Sequence, residues 1–336
     1  MVFTSPPDPN NGTAIVDFMV QTWKGNTPAT DGFAAVSGTF TIKGTYCVPK
    51  RIKSKDTLEV LVHGITYNKT MWEGMGFGAQ YDWHKYANSR GYATLALDRL
   101  GHGENPQYPD PLNIVQPQMH VEITREIMAA ARNKKSPVNV LGRAFKKVIF
   151  VGHSYGSFLG VALAEQYPAA ADALVLTGFS NYLDFSAVID AEWSSAADHD
   201  PARWPSVPKG YVVMGNATER IVFYDGGYNP AMPSVDFQHE DTLTVGEIGA
   251  LSAILGPAPS YTGPVLVATP VQDVFFCEEP LALCEYHLNA TRVSFPNASD
   301  YDYFAPDNTG HDLTLHYTAQ DTFRQVHDWL DTKLCE

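Results

Sequence analysis

The chain is most constrained by Val148-Ile-Phe-Val-Gly-His-Ser-Tyr-Gly-Ser157, an apolar run that closes on Gly152-x-Ser154-x-Gly156. Four consecutive apolar residues, Val148 to Val151, predict a strand buried on both faces. Ser157 to Tyr167 is rich in small and apolar residues and predicts a helix. A serine between the two sits on a sharp turn. The flanking glycines let strand, turn and helix pack closely, and the hydroxyl is presented at the carboxyl edge of the sheet. Serine in that setting is a nucleophile candidate, whereas an incidental strand-to-helix turn would not need a glycine on either side.

A nucleophilic serine requires a base, an acid to orient it, and donors for the oxyanion. Pro264-Val-Leu-Val-Ala268 predicts another buried strand, and Asp273 follows five residues later. A helix N-cap or turn role is the alternative for Asp273, and Asp184, after the preceding strand, is the reserve acid. Asn308-Thr-Gly-His311 follows a predicted strand over Tyr301 to Ala305. His311 competes with His316, and the glycine before His311 favours it because a tight loop must return the ring over the serine. The resulting chain order is Ser154, Asp273, His311. The oxyanion donors expected are the N–H of Tyr155, next to the nucleophile, and that of Ile65, in the His63-Gly64-Ile65-Thr66 turn after the strand Leu58 to Val62.

These motifs together resemble the α/β-hydrolase superfamily of lipase/esterase type. The segments Leu61 to Tyr67, Asp98 to Gly101, Val151 to Gly156, Thr309 to His311 and Leu315 to Thr318 are most similar to uncharacterised secreted fungal hydrolases. The resemblance runs from about Phe40 to the C-terminus apart from an insertion. It implies a serine hydrolase acting on a carboxylic ester or lactone. The other possibility is the same fold used without net hydrolysis, as a lyase, an acyltransferase or a small-molecule receptor. Epoxide hydrolases and haloalkane dehalogenases are excluded because they need a carboxylate where this chain has Ser154.

Strand and helix signals alternate from Leu58 onward: a helix over Tyr81 to Ser89, a strand over Tyr92 to Leu97, a helix over Gln116 to Arg132, the serine strand and helix, then a strand over Ala173 to Thr177. That rhythm predicts an α/β fold with a mostly parallel, doubly wound sheet. Residues 1–32 read as an N-terminal extension draped over the core, and 33–180 with 263–336 as the hydrolase core. Phe33 to Val48 reads as an antiparallel edge strand or hairpin. Between 181 and 262 the alternation stops and aromatic residues accumulate, including Trp193, Trp204, Tyr211, Phe223, Tyr224, Tyr228 and Phe237. A loop that long is not left structureless, so the reading is a helical cap inserted between two late strands. Some of its aromatics should wall a pocket for a medium-sized hydrophobic or aromatic substrate.

The 336 residues carry a net charge of −14 without a sizeable basic cluster, which argues against nucleic acid and anionic membrane surfaces as partners. No apolar run approaches the roughly 18 residues of a membrane span. The histidines lack metal-ligand spacing, and neither metal nor cofactor is expected. Glycosylation sequons stand at Asn11, Asn68, Asn216, Asn289 and Asn297. Their number exceeds the roughly two expected from composition. Four cysteines fit two disulfides, Cys277–Cys284 beside Asp273 and Cys47–Cys335 tying the N-terminal region to the last helix. Both signals favour a secreted protein. Met1-Val-Phe-Thr-Ser-Pro is no leader, so the chain reads as a form from which one has been removed.

Overall fold

The computed structural model describes residues 1–26, 28, 30–50, 53–277 and 280–334. Seven strands form one sheet: β1 Gly44–Cys47, β2 Thr57–Val62, β3 Ala93–Leu97, β4 Lys147–His153, β5 Ala173–Thr177, and two later strands. Between β5 and those two comes the insertion, which contains β6 Trp193–Ser195, β7 Tyr211–Met214 and β8 Leu243–Thr244. The sheet is completed by β9 Val265–Ala268 and β10 Tyr301–Phe304, in the order β1-β3-β2-β4-β5-β9-β10. All neighbours are parallel except β1, which pairs antiparallel with β3. The predicted mostly parallel sheet is therefore present. Of the edge structure expected over Phe33 to Val48, only Gly44–Cys47 is strand.

Four helices are numbered here: α1 Gly12–Trp23, α2 Trp83–Ser89, α3 Pro117–Arg132 and α4 Tyr155–Gln166. The sheet register shows how the helices cover it. Glu59 pairs with Ile149 and Val60 with Phe150, so Glu59 and Phe150 point to opposite faces. Phe150 packs under α4, where Gly160 leaves no room for a Cβ, which would lie 2.6 Å from the Phe150 ring. Glu59 instead meets α2 and the C-terminal helix Ala319–Lys333. Its carboxylate accepts Trp83 Nε1–H at 2.7 Å and lies 3.0 Å from His327 Nε2. With both faces covered, β2, β3 and β5 are buried at every residue and β4 at all but Lys147, which explains their unbroken apolar runs.

Two expectations change. The insertion is not a purely helical cap. The strands β6, β7 and β8 form a small antiparallel sheet, and its longest helix is the eight-residue Met232–His239. Pro201, Pro205, Pro208, Pro230 and Pro233 interrupt helical propagation, while Tyr211-Val-Val-Met214 favours strand. The N-terminal region also docks on this insertion rather than across the sheet. Asn11 caps α1, and Trp23 packs on Trp193 and Phe185 at ring distances of 5.0 and 5.9 Å.

Candidate functional site

Ser154 stands between β4 and α4 with φ 53° and ψ −117°, a left-handed conformation rarely adopted by a residue with a side chain. The two glycines make this turn possible. A Cβ on Gly152 would lie 2.6 Å from the Gly156 backbone, and one on Gly156 would lie 2.2 Å from the Val62 carbonyl. The Ser154 N–H is fixed by the Thr177 carbonyl at 2.9 Å.

Asp273 lies after β9 and is fully buried. One carboxylate oxygen, Oδ1, accepts the N–H groups of Phe275 and Phe276 at 3.0 and 3.2 Å, and the other, Oδ2, accepts His311 Nδ1–H at 2.7 Å. Nε2 of His311 is therefore the basic nitrogen. Burial pushes the His311 pKa down, but the charge and hydrogen bond of Asp273, helped by Asp312, outweigh it and leave the net shift upward. The structure brings Asp273, not Asp184, to this histidine. Asp184 instead accepts the Ser186 N–H at 2.7 Å as a turn residue. His316 supports the loop: it accepts the Gly310 N–H on Nε2 at 3.0 Å, and its Nδ1–H donates to the Asp312 carbonyl at 2.9 Å. Backbone bridges Gly226–Thr309, Tyr228–His316 and Gln272–Gly310 hold the same loop between the insertion and the acid segment.

Ile65, Ser154, Tyr155 and His311 all line one cavity of about 30 Å³. Tyr155 is the first residue of α4, so its N–H has no partner within the helix. The remaining wall is apolar. The insertion supplies Phe185, Val188, Phe223, Ile248 and Leu251, the acid loop Phe275 and Phe276, and α4 Phe158. Of the insertion aromatics singled out in the sequence, Phe223 alone reaches this wall. The pair Phe275-Phe276 can be found from the sequence, because residues beside the carboxylate that holds His311 share its loop. A larger groove of about 1020 Å³ lies between β1, α3 and residues 138–141 and includes none of these residues.

Two buried ionic networks flank the cavity; Arg99 and Tyr67 lie in segments the sequence singles out, but nothing there indicates their partners. In the first, Arg99 pairs with Glu247, and His102 lies 3.2 Å from the same carboxylate. The ligand atoms of His102, His120 and Glu247 gather within 4.8 Å, although their spacing in the chain shows no metal motif. The Arg99 guanidinium already neutralises Glu247 there, and burial, with the Arg99 charge, lowers the His120 pKa to about 3. In the second network, Arg220 bonds Asp236 at 2.6 Å, and the Tyr67 hydroxyl contacts Asp236 and Asp312. His153 Nε2 lies 3.2 Å from Asp312 Oδ1.

Cys277 and Cys284 form a disulfide directly after Phe276. Cys47 carries no disulfide among the described residues, and its expected partner Cys335 lies outside them. Asn11, Asn289 and Asn297 are exposed. Asn68 and Asn216 are half-buried, and their amide nitrogens donate to Asp241 and Glu192, as that of Asn297 does to the Pro259 carbonyl. Among the described residues no helix is long and apolar enough to cross a membrane.

No curated protein matches the sequence. Among solved structures, the monoacylglycerol lipase of Paleococcus ferrophilus aligns at a TM-score of 0.54 and 14% identity, covering 87% of this chain and 99% of that one. A thermophilic esterase from Thermogutta terrifontis gives 0.54 and 16%, covering 89% and 96%. Est1E of Butyrivibrio proteoclasticus, with ferulic acid bound, gives 0.52 and 13%, covering 88% and 97%. At these identities the likeness concerns the fold. The sequence pattern of the alpha/beta hydrolase family matches residues 60–283, a span that contains the elbow serine, the insertion and the acid, and the chain therefore belongs to the α/β-hydrolase family.

Proposed function

We propose that the protein is a serine hydrolase that cleaves a carboxylic ester or lactone of a hydrophobic small molecule through an acyl-enzyme on Ser154. The observation that carries this reading is the convergence of Ser154 and an Asp273-anchored His311 on a single apolar cavity. His311 Nε2 takes the Ser154 proton as the hydroxyl oxygen attacks the carbonyl carbon. The imidazolium then formed is held by Asp273, and it gives its proton to the leaving oxygen when the tetrahedral intermediate collapses. Ile65 and Tyr155 N–H groups hold the oxyanion. Water, deprotonated by the same histidine, then releases the acid.

The wall favours neutral, apolar groups, since Ser154, Tyr155 and His311 are its only lining residues with polar side-chain atoms and none of its lining residues is an acid, lysine or arginine. Its volume of about 30 Å³, far below the roughly 300–1,000 Å³ of a drug-sized pocket, favours a small apolar group of the substrate beside Ser154. An extracellular location is part of the proposal, supported by the Cys277–Cys284 bridge and the exposed sequons. The test is a series of p-nitrophenyl esters with intact-mass detection of the acyl-enzyme. Multiple turnover, with an acyl adduct located on Ser154, supports the reading. Binding without turnover, or an adduct elsewhere, refutes it.

A further inference from the structure

Arg99 leaves the end of β3 in the Asp98-Arg99-Leu100-Gly101 turn and is almost completely buried. Its Nη2 donates to the Gly64 carbonyl at 3.0 Å, its Nη1 pairs with Glu247 Oε1, and its guanidinium carbon lies 4.5 Å over the Tyr155 ring. The Gly64 carbonyl and the Ile65 N–H are opposite ends of one peptide unit. Whatever fixes the carbonyl therefore fixes the direction of the N–H.

A second donor reaches the same oxygen. The Arg99 backbone N–H donates to His63 Nε2 at 3.1 Å, so the neutral ring that satisfies the shorter contacts carries its proton on Nδ1, 2.8 Å from the Gly64 carbonyl, with Arg99 Nε more distant at 3.4 Å from that nitrogen. Both acceptor sites of that carbonyl are thus filled, and the peptide plane cannot rotate without breaking two buried bonds. One of the donors is a cation. Charge-assisted donation to the C=O end draws electron density from the amide and strengthens the N–H at the other end as a donor.

Glu247 connects this peptide to the insertion. It sits in the short helix Val245–Gly249, where its Oε2 accepts the Thr244 N–H at 2.7 Å and the Thr244 hydroxyl accepts the Glu247 N–H at 3.2 Å. That capping box aims Oε1 at Arg99. The neighbouring Ile248 and Leu251 are part of the cavity wall.

We propose that Arg99 is a positioning residue for the oxyanion hole: it orients and polarises the Gly64–Ile65 peptide, and Glu247 ties that setting to the part of the cavity wall that the insertion supplies. The inference rests on the reading that the Ile65 N–H receives the oxyanion. Lysine at position 99 keeps a charge beside Glu247 but cannot span both Glu247 and the Gly64 carbonyl. Arg99→Lys should lower kcat by about 10- to 100-fold, a fraction of what deleting an oxyanion donor costs, with KM within about threefold of wild type. A trifluoromethyl ketone matching the acyl group, which forms a charged hemiketal on Ser154, should lose affinity by the same factor. The corresponding methyl ketone should not.

Unchanged kcat and inhibitor affinity in a folded Arg99→Lys overturn the proposal. So does an equal loss for both ketones, which is the mark of a merely structural role. If Arg99→Lys does not fold, the neutral pair Arg99→Met/Glu247→Gln leaves no buried charge alone and should show the same selective loss. Ile65→Pro, its fold checked by near-ultraviolet circular dichroism, separates the two levels. Wild-type kcat in Ile65→Pro refutes the Ile65 reading itself. A loss there, with none in the Arg99 variants, leaves that reading standing and refutes the role of Arg99.

Discussion

Gly178 performs no chemistry, yet it should control how well His311 does. It follows β5 with φ +54°, and a Cβ at this position would lie 2.9 Å from His153 Cε1 and 3.0 and 3.1 Å from Cε1 and Nδ1 of His311. Ordinary contacts begin near 3.4 Å, so Gly178→Ala must push the rings by several tenths of an ångström. His311 cannot yield freely, because its Nδ1 is held 2.7 Å from Asp273. An alanine in the left-handed region costs about 1–2 kcal/mol, and overpacking a buried site adds about 1–3 kcal/mol. The expected destabilisation is therefore about 2–5 kcal/mol. Since a 1 Å misplacement of a catalytic group can cost about a hundredfold, kcat should fall about five- to tenfold. Urea unfolding measures the first quantity, and steady-state turnover of a p-nitrophenyl ester the second. Gly142→Ala is the control: φ is +72°, no atom lies within 4 Å of its Cβ, and it should show the backbone cost with wild-type kcat. If Gly178→Ala loses under about 0.5 kcal/mol and turns over normally, this steric account of His311 placement is wrong.

Ser154→Ala should reduce kcat by about 10⁴- to 10⁶-fold with the fold intact, and more than a tenth of wild-type turnover would refute the serine mechanism. The net upward shift of His311, won by Asp273 against burial, places the acid limb of kcat/KM above the unperturbed value of about 6.5. Activity should rise as pH climbs through that limb and the ring loses its proton, so a limb below 6.5 or a profile flat from pH 5 to 9 contradicts the assignment. Reduction of Cys277–Cys284 releases the segment that carries Phe275 and Phe276. For a loop this short the loss is about 2–3 kcal/mol, seen as a lower melting temperature together with a lower kcat. An unchanged kcat after verified reduction would show that the bridge does not steady Asp273.

What was legible in the sequence was local or directional. The β4–Ser154–α4 elbow could be read because an unbroken apolar run, two glycines and a small-residue helix stand side by side. Asp273 and His311 could be read from their order and from the strands before them. Asp184 remained open because it too follows a strand, and only the hydrogen bond from His311 to Asp273 separates the two. The insertion reads as helical because its aromatics give no period of their own, and the β-branched pair Val212-Val213 is too short to mark a strand by itself. The cavity wall draws on separate pieces of the chain, from Ile65 to His311, and no spacing rule joins them. The buried ion pairs are less visible still. Arg99 and Glu247 are 148 residues apart, and each alone looks like a surface residue.

Both networks join the core to the insertion: Arg99 and His102 of the core meet Glu247, while the Tyr67 hydroxyl bridges Asp312 of the core to Asp236, which Arg220 of the insertion neutralises. Buried pairs of this kind add little net stability compared with apolar side chains, but removing one member strands the other. Arg220 shows this best, since its side chain is fully buried, it bonds Asp236 at 2.6 Å and it also donates to Thr66 beside Ile65 at 2.7 Å. Burial, followed by the charge of Asp312, pushes the Asp236 pKa up against the pull of Arg220. With the arginine gone, the buried carboxylates of Asp236 and Asp312, and that of Glu240 at 3.7 Å from the guanidinium, lose their shared cation. Arg220→Met should therefore cost about 3–5 kcal/mol, and Arg220→Met/Asp236→Asn should recover most of it. Melting temperatures of both variants decide the matter. A double variant as unstable as the single one would mean that Arg220 contributes packing rather than charge balance.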